Sequence, residues 1–370
     1  MCGIAGIISS NHKLVTTQRL EKMTRVLAHR GPDGERHYIN PTGIAGLGHR
    51  RLCIIDLSEG AAQPMHYANR YTILHNGEIY NYKELRETLQ QKGYSFRTQS
   101  DTEVIVAAYD CYGDQCLLHF DGMFAFTIWD EKVQELFAAR DRFGEKPFFF
   151  YADDEQFVFA SEMKALWAAG IEKKMNEKML FNYLTLGYTL NPTDAQETFF
   201  SSIHKLPARH FLRYRPNSNE LVVEMYWDID MQTSLEQLTD EAAVQQFREL
   251  FAQSVSRRLR SDVPLGTSLS GGLDSSAVLA TMTGLTNTSY KTFSATFPGF
   301  AKDESPYIKQ VVDTCHAENF QVQPTADTIL NDFEKICYHQ EEPCQSSSVW
   351  AQYSVYELAR KHGVKVLLDG

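Results

Sequence analysis

The first eight residues, 1–8, read MCGIAGII, so Cys2 directly follows the initiator methionine. Removal of Met1 would place a thiol and a free α-amine on one residue. An α-amino group has an ordinary pKa of about 8, so near neutral pH it can act as the base that activates its own side chain. The simpler interpretation is that Cys2 is a small residue at the start of a buried, glycine-containing strand. The residues that follow decide between the two.

Length and composition predict a globular chain with small-molecule partners. Its 370 residues are 43% hydrophobic and 12% aromatic, and this length favours two domains. A net charge of -11 without a run of Lys or Arg argues against a nucleic-acid or anionic-membrane surface. No basic region precedes the short apolar start, and no apolar segment reaches about 18 residues, so we predict neither a signal peptide nor a membrane span.

The number and spacing of the cysteines indicate neither a disulfide framework nor a zinc site. There are seven, an odd number, scattered without the Cys or His spacing of a zinc site. This usage favours a reducing cytoplasm.

Polar motifs beside Gly or Pro recur through the first half. They are HRGPD at 29–33, RRL at 50–52 followed by Asp56, NGE at 76–78, SDTE at 100–103 and RDRFGEKP at 140–147. Asn76-Gly77 between two strand-like runs is typical of a hairpin turn. The same pair could instead direct an amide and an N–H at one oxygen, as an oxyanion hole does. SDTE predicts a capping box, in which Asp101 is an exposed cap residue unless it binds a ligand.

Hydrophobic patterns predict a β-rich layered domain around these motifs. Strands are expected at 2–8, 123–129, 135–140, 147–151 and 156–160, helices at 17–28 and 82–92, and a hairpin at 209–227 that turns at 216–219.

Taken together and in this order, the motifs resemble the class II glutamine amidotransferase domain. The resemblance implies an α+β fold, the αββα sandwich of N-terminal-nucleophile hydrolases, in which a cysteine thiolate attacks the amide of glutamine and releases ammonia. It implies that Cys2 is the nucleophile, that its α-amine is the base, and that Asn76 and the Gly77 N–H form the oxyanion hole. The glutamine-binding residues that it implies are Arg51 for the carboxylate, Glu78 and Asp101 for the ammonium, and the stretch Leu52, Cys53, Ile54 and Ile55. The residue types agree independently, because a zwitterionic amino acid needs a fixed cation and carboxylates placed apart from it.

The second half contains the motif SGGLDSS at 270–276, after a predicted strand and before an apolar helix. A strand, a Gly-rich loop and a helix N-terminus form an anion site from backbone N–H groups and the helix dipole. No Lys follows the glycines, so this is not a Walker P-loop. Asp274 would repel a pyrophosphate group unless a divalent cation lay between them, so it predicts Mg²⁺.

Alternating strands and helices after this loop predict an α/β doubly wound parallel sheet. The loop resembles that of the ATP-pyrophosphatase superfamily, which has the adenine nucleotide alpha hydrolase-like fold and adenylylates a carbonyl or carboxylate with release of pyrophosphate. The resemblance implies that Leu269 and Ala295 contact the adenosine of ATP. The full set of ATP-binding residues that it implies is Leu269, Ser270, Gly271, Gly272, Asp274, Ser275, Ala295, Asp369 and Gly370, with Asp274 holding the metal.

In this order the two halves resemble the glutamine-hydrolysing asparagine synthetase family. We predict a glutaminase domain at 1–227, a linker at 228–240 and a synthetase domain at 241–370. The resemblance implies that glutamine, aspartate and Mg-ATP are converted to asparagine through an aspartyl-adenylate.

The sequence leaves two alternatives for the function open, and it also allows a homodimer. The acceptor could be another carboxylate, such as a sugar acid or a peptide, or the chain could act as a glutaminase only. Family members continue past Asp369-Gly370 into a further acidic loop, so we expect this 370-residue form to hydrolyse glutamine without making asparagine.

Overall fold

The computed structural model describes residues 1–231 and 238–369. Contacts divide the chain into two compact units, Met1–Asp230 and Met231–Gly370. The boundary falls inside the predicted linker, whose residues 232–237 lie outside the described residues, as does Gly370.

The first unit consists of twelve described β-strands and the helices that pack against them. Its strands are β1 Gly3–Ile8, β2 Gly34–Ile39, β3 Ala45–Arg51, β4 Met65–Tyr67, β5 Tyr71–Ile79, β6 Gly122–Asp130, β7 Glu135–Arg140, β8 Phe149–Ala152, β9 Phe157–Ala160, β10 His204–Lys205, β11 His210–Arg215 and β12 Glu220–Met225. Its helices are α1 Thr17–Arg25, α2 Tyr82–Gln91, α3 Asp101–Tyr112, α4 Cys116–His119, α5 Met163–Ala168 and α6 Glu177–Leu186.

These strands form two six-stranded antiparallel sheets, ordered β10-β8-β9-β1-β3-β2 and β12-β11-β7-β6-β5-β4. Helices pack on the outer faces: buried side chains of α1, α5 and α6 join the first sheet, and those of α2, α3 and α4 join the second. A third cluster, which includes Leu74, Trp129 and Phe159, fills the space between the sheets. The predicted αββα sandwich is confirmed.

Strand β1 lies inside the first sheet, between β9 and β3, and is buried on both faces. Ile4 and Ile8 join the cluster between the sheets, whereas Ile7 joins the cluster under the helices. Burial on both faces explains why the strand reads as an apolar run rather than an alternating one. A Cβ at Gly6 would overlap the ring of Phe159, so the glycine permits this close packing.

The structure rules out one of the two interpretations of Asn76-Gly77 and contradicts the predicted capping box. Strand β5 continues through Asn76 and Gly77, so these residues do not form a hairpin turn. The capping box at the start of α3 is also absent in its expected form, because the Ser100 hydroxyl accepts the N–H of Thr102. The Glu103 carboxylate instead accepts N–H groups of the preceding loop, and those bonds hold it away from the Ser100 backbone.

The second unit is built around a parallel sheet. Its strands are β13 Leu265–Ser268, β14 Lys291–Ala295, β15 Glu318–Val322 and β16 Val366–Leu367, and its helices are α7 Asp240–Arg258, α8 Leu273–Thr286, α9 Ser305–Cys315, α10 Ala326–Gln340 and α11 Ser348–Lys361. The strand order is β15-β14-β13-β16, with every pair parallel. Helices α8 and α9 form one apolar cluster with Leu269, and α11 forms another with Phe293. The predicted doubly wound parallel sheet is confirmed.

Within residues 1–231 and 238–369, none of the helices has both the length and the apolar character that a bilayer crossing requires.

Candidate active site

The register of β1 against β3 places the candidate nucleophile. Gly3 pairs with Arg50, so Cys2 lies beside the chain that leaves β3. The Cys2 Sγ lies 3.4 Å from the Leu52 backbone N–H, from which it accepts a hydrogen bond, and 3.7 Å from the Leu52 carbonyl oxygen. Burial raises the pKa of the Cys2 thiol above its ordinary value. The thiol therefore needs a base before it can attack a substrate.

The free amine at this position belongs to Met1, which precedes Cys2 in this chain. Burial lowers the pKa of the Met1 amine to about 5, and the nearby cations Arg30 and Lys146 act in the same direction. An amine in such surroundings is neutral at pH 7 and can accept a proton. We expect the same surroundings to favour a neutral α-amine on Cys2 once Met1 is removed.

Asn76 and Gly77 lie on β5, where it pairs with β6. Gly77 has a φ of 149°, and a Cβ there would overlap the Met123 carbonyl oxygen, so the strand admits only glycine at this position. Asn76 is completely buried, and neither its Nδ2 nor its Oδ1 has a hydrogen-bond partner among the described residues. Leaving a buried polar group unpaired costs about 1–3 kcal/mol, which points to a ligand as its partner.

Arg51, at the end of β3, is buried and held in one orientation. Its two terminal nitrogens donate to the carbonyl oxygens of Ser58, at 2.8 Å, and Asp56, at 2.5 Å. The HRGPD loop packs directly against this strand, since a Cβ at Gly31 would overlap the Arg50 backbone. The guanidinium is thus a fixed cation suited to a carboxylate.

Glu78 and Asp101 supply the acidic side of the site. Asp101, at the start of α3, is buried rather than exposed, and its Oδ2 accepts the Ile79 N–H at 2.9 Å. Burial raises the pKa of Asp101 to about 6 although that hydrogen bond favours the charged form. Burial, together with the Asp101 charge, raises the pKa of Glu78 to about 7, while the Lys146 cation opposes this rise. Two destabilised carboxylates side by side would both gain from a bound ammonium group.

One cavity brings most of the predicted glutamine-site residues together. Those that line it are Cys2, Arg51, Leu52, Ile54, Ile55, Gly77, Glu78 and Asp101. Two predicted residues do not line it: Asn76 is completely buried, and Cys53 donates its backbone N–H to the Asp33 carboxylate at 2.9 Å.

Further cavity residues were not assigned from the sequence. They are Met1, Ala61, Gln63, His75, Ser100, Thr102 and Lys146. Lys146 belongs to the RDRFGEKP motif, and its ammonium contacts the Met1 and Met123 sulfur atoms. Burial lowers the pKa of Lys146. The sequence signal was a lysine in the RDRFGEKP turn, which does not reveal that the side chain enters the cavity.

Glutamine affinity is expected to rise between pH 6 and pH 8 and to level off above about pH 8. The ammonium of glutamine favours ionised carboxylates, and with a pKa of about 7 only about a tenth of Glu78 is ionised at pH 6. We expect roughly tenfold weaker binding at pH 6 than at pH 8, measured by calorimetry on the Cys2→Ala chain so that no turnover occurs. Glu78→Gln should remove most of this dependence; an unchanged slope in that variant would contradict the assignment.

In the second unit, the SGGLDSS loop joins β13 to α8. Gly271 has a φ of 84°, and a Cβ there would lie 2.9 Å from the Ile308 backbone nitrogen. The Ser270 hydroxyl lies 3.1 Å from that of Ser275 and accepts the Gly272 N–H. The first N–H groups of α8 have no partner within the helix, so the loop can present them to an anion.

The other predicted ATP-site residues lie at the same edge of the sheet. Ala295 ends β14, and Asp369 follows β16, where it accepts the Ser268 N–H at 3.1 Å. Carboxyl ends of neighbouring parallel strands form the usual ligand crevice. Leu269 differs, since its side chain is buried in the cluster of α8 and α9, so only its backbone could face a nucleotide.

Asp274 lies exposed in the first turn of α8. Among the described residues, no three or more His, Cys, Asp or Glu side chains are grouped to hold a metal ion. Mg²⁺ does not require such a group, because it commonly binds one or two carboxylates together with substrate phosphates. The donor set at this loop therefore fits Mg²⁺ only as a nucleotide complex.

Comparisons with known proteins agree with this geometry. A glutamine amidotransferase domain matches residues 1–227, and an asparagine synthase domain matches residues 246–370. A Methanocaldococcus jannaschii protein, provisionally named asparagine synthetase (glutamine-hydrolyzing) 2, is 36% identical over 100% of this chain and 74% of its own length. Asparagine synthetase (glutamine-hydrolyzing) 1 of Bacillus subtilis is 33% identical over 100% of this chain and 57% of its own.

A third relative has a different name. Amidase chry2 of Gibberella zeae is 29% identical over 100% of this chain and 58% of its own. The chain thus spans between 57% and 74% of the length of these three relatives. Two domain matches in this order and similarity over the whole of this chain place it in the glutamine-hydrolysing asparagine synthetase family.

Proposed function

We propose that the first unit hydrolyses glutamine and that the ammonia serves an ATP-dependent amidation in the second unit. The observation that carries the proposal is the cavity, in which a thiol, a fixed guanidinium and two carboxylates surround one space. These groups match the amide, the carboxylate and the ammonium of glutamine.

Hydrolysis would begin with attack of the Cys2 thiolate on the side-chain amide carbon. The α-amine of Cys2 takes the thiol proton and returns it to the departing nitrogen, which leaves as ammonia. Water then cleaves the thioester, giving glutamate and the free thiol. Asn76 Nδ2 and the Gly77 N–H would donate to the oxyanion of each tetrahedral intermediate.

Substrate recognition would divide between the two charged sides of the cavity. Arg51 binds the α-carboxylate, and Glu78 and Asp101 bind the α-ammonium. Leu52, Ile54 and Ile55 would line the aliphatic part, whereas Cys53 does not line the cavity.

In the second unit, the side-chain carboxylate of aspartate would attack the α-phosphate of ATP with release of pyrophosphate, and ammonia would then displace AMP from the aspartyl-adenylate to give asparagine. The 270–276 loop and the start of α8 would bind the phosphates, while the backbone at Leu269 and Ala295 would face the adenosine. Mg²⁺, held by Asp274, would offset the repulsion between this carboxylate and the pyrophosphate.

The proposal has a second candidate for the carboxylate that accepts ammonia. A relative named amidase matches the whole of this chain, so the acceptor could be a carboxylate other than aspartate. The deciding experiment supplies glutamine, Mg-ATP and aspartate and measures glutamate, pyrophosphate and asparagine separately. Equal pyrophosphate and asparagine would support aspartate as acceptor. Glutamate without pyrophosphate would leave only the glutaminase half of the proposal standing.

In a version of the protein that spans the full length of its relatives, Asp274→Asn is expected to lower ammonia-dependent pyrophosphate release by about a hundredfold while glutamate release stays within about twofold of wild type. The reason is that Asp274 and the glutamine cavity lie in different units. Pyrophosphate and glutamate should be assayed on the same preparation, with Asp313→Asn, an exposed aspartate on α9, as control. Equal loss of both products in Asp274→Asn would argue against separate sites.

A further inference from the structure

A buried cluster of charges lies beside Cys2 and has no part in the chemistry described so far. At its centre is the carboxylate of Glu162, in the turn between β9 and α5. Glu162 Oε1 lies 2.8 Å from an Arg30 terminal nitrogen and 3.0 Å from His29 Nε2, and its Oε2 lies 2.6 Å from Lys164 Nζ. Glu162 and Lys164 are buried, so this ion pair is largely shielded from water.

The cluster is linked to Cys2 through Arg30. The Arg30 Nε donates to the Cys2 carbonyl oxygen at 2.9 Å, while another nitrogen of the same planar guanidinium donates to Glu162. The rigid fork of the guanidinium means that fixing one arm orients the other. The position of the Cys2 backbone therefore depends on where Glu162 holds Arg30.

The segment that carries Glu162 also forms hydrogen bonds with the strand that follows Cys2. Ser161 donates its N–H to the Ile4 carbonyl oxygen at 2.9 Å, and its hydroxyl accepts the Ile4 N–H at 3.0 Å. Two neighbouring residues, Ser161 and Glu162, thus fix the chain on both sides of Gly3. A nucleophile at a chain start has no preceding strand to hold it, so such anchoring must come from elsewhere in the fold.

Glu162 is held in its charged form. Burial by itself would raise the pKa of this carboxyl, but the hydrogen bond from His29 and the Arg30 and Lys164 cations bring it far below its ordinary value. The carboxylate therefore stays ionised near neutral pH and remains paired with Arg30.

We propose that Glu162 is a positioning residue for Cys2: through Arg30 it holds the Cys2 carbonyl, and thereby keeps Sγ against the Leu52 N–H. The consequence for glutamine hydrolysis rests on the proposed role of Cys2 as nucleophile. The positioning itself does not depend on that role, because the reactivity of the Cys2 thiol can be measured without glutamine hydrolysis.

Glu162→Gln keeps the shape of the side chain and removes its charge. Glutamate release should fall about tenfold to a hundredfold in kcat, with KM within about twofold, because a misplaced nucleophile affects the chemical step more than binding. Arg30→Gln should give a similar loss, and the double variant should be no worse than Arg30→Gln, since both changes break the same link.

Alkylation of Cys2 by iodoacetamide, followed by peptide mass spectrometry, is the readout that needs no turnover. In Glu162→Gln the thiol is less firmly held and lies near an Arg30 charge that is no longer neutralised, which favours thiolate. Cys2 alkylation should therefore become at least about threefold faster while kcat falls. Alkylation of Cys116, which is completely buried in the same unit, reports unfolding and should stay at the wild-type rate.

Asp130→Asn is the matched control, because Asp130 is also a buried carboxylate paired with an arginine, Arg70, at 2.6 Å, and it does not line the cavity. It should change neither kcat nor Cys2 alkylation. Wild-type values of both in Glu162→Gln, or equal acceleration at Cys2 and Cys116, would overturn the positioning role. A wild-type chain that releases no glutamate would refute the proposed function, and the alkylation rates would still decide the role of Glu162.

Discussion

Cys2→Ala is expected to reduce glutamate release from glutamine by at least about a thousandfold, to background. The alanine removes the only thiol that lines the cavity in the described part of the chain. Folding should be unaffected, because Cys2 is half-buried and the two hydrogen bonds between its Sγ and the Leu52 backbone are long and weak. The measurement is enzymatic detection of glutamate, with thermal unfolding on the same preparation.

Cys111→Ala is the matched control, since Cys111 is half-buried in the same unit and does not line the cavity. It should leave glutamate release unchanged. A chain that retains Met1 should be as inactive as Cys2→Ala, because the Cys2 nitrogen is then an amide and cannot accept a proton. Intact-mass measurement identifies which form is present. Wild-type glutamate release by either inactive form would refute the proposed mechanism.

Asn76→Leu is expected to lower kcat for glutamine hydrolysis by about a hundredfold to a thousandfold, as the loss of one oxyanion donor does in other enzymes. It should also leave the free energy of unfolding unchanged or increase it. The reason is that both polar atoms of Asn76 are buried without a partner among the described residues, so an apolar side chain of similar size removes a cost. Chemical unfolding and steady-state kinetics test the two halves of this expectation.

Asn40→Leu provides the comparison. Asn40 is also buried, but its Oδ1 accepts the N–H groups of Ile44 and Ala45, and its Nδ2 donates to Thr42 at 2.7 Å. Its replacement should destabilise the chain by about 1–3 kcal/mol and leave kcat unchanged. Similar destabilisation by both leucines would show that the Asn76 amide has a structural partner and would weaken its role at the oxyanion.

The candidate site thus contains several groups that lower the stability of the folded chain. An unpaired amide at Asn76, a carboxyl with a pKa of about 7 at Glu78 and a buried lysine at Lys146 all oppose folding of the substrate-free chain. Each would gain from a bound substrate or reaction intermediate. The layered core of the first unit offsets these costs, which is the usual relation between stability and activity at a preorganised site.

Much of this protein is determined by sequence alone. The order of the motifs identified both folds, and most predicted strands and helices were found because buried strands and amphipathic helices carry their own patterns. The sequence also predicted eight of the fifteen residues that line the cavity, and four of them, Arg51, Gly77, Glu78 and Asp101, occur in distinctive local sequences.

Other features depend on tertiary structure. The Asn-Gly pair at 76–77 favours a turn locally, but pairing with β6 draws it into a continuous strand. Register between β1 and β3 brings Cys2 to Leu52, and packing turns Lys146 into the cavity. The link from Glu162 through Arg30 to Cys2 joins residues far apart in the chain. Local sequence cannot reveal such contacts or the resulting pKa values, because both depend on burial and on which charges folding brings together.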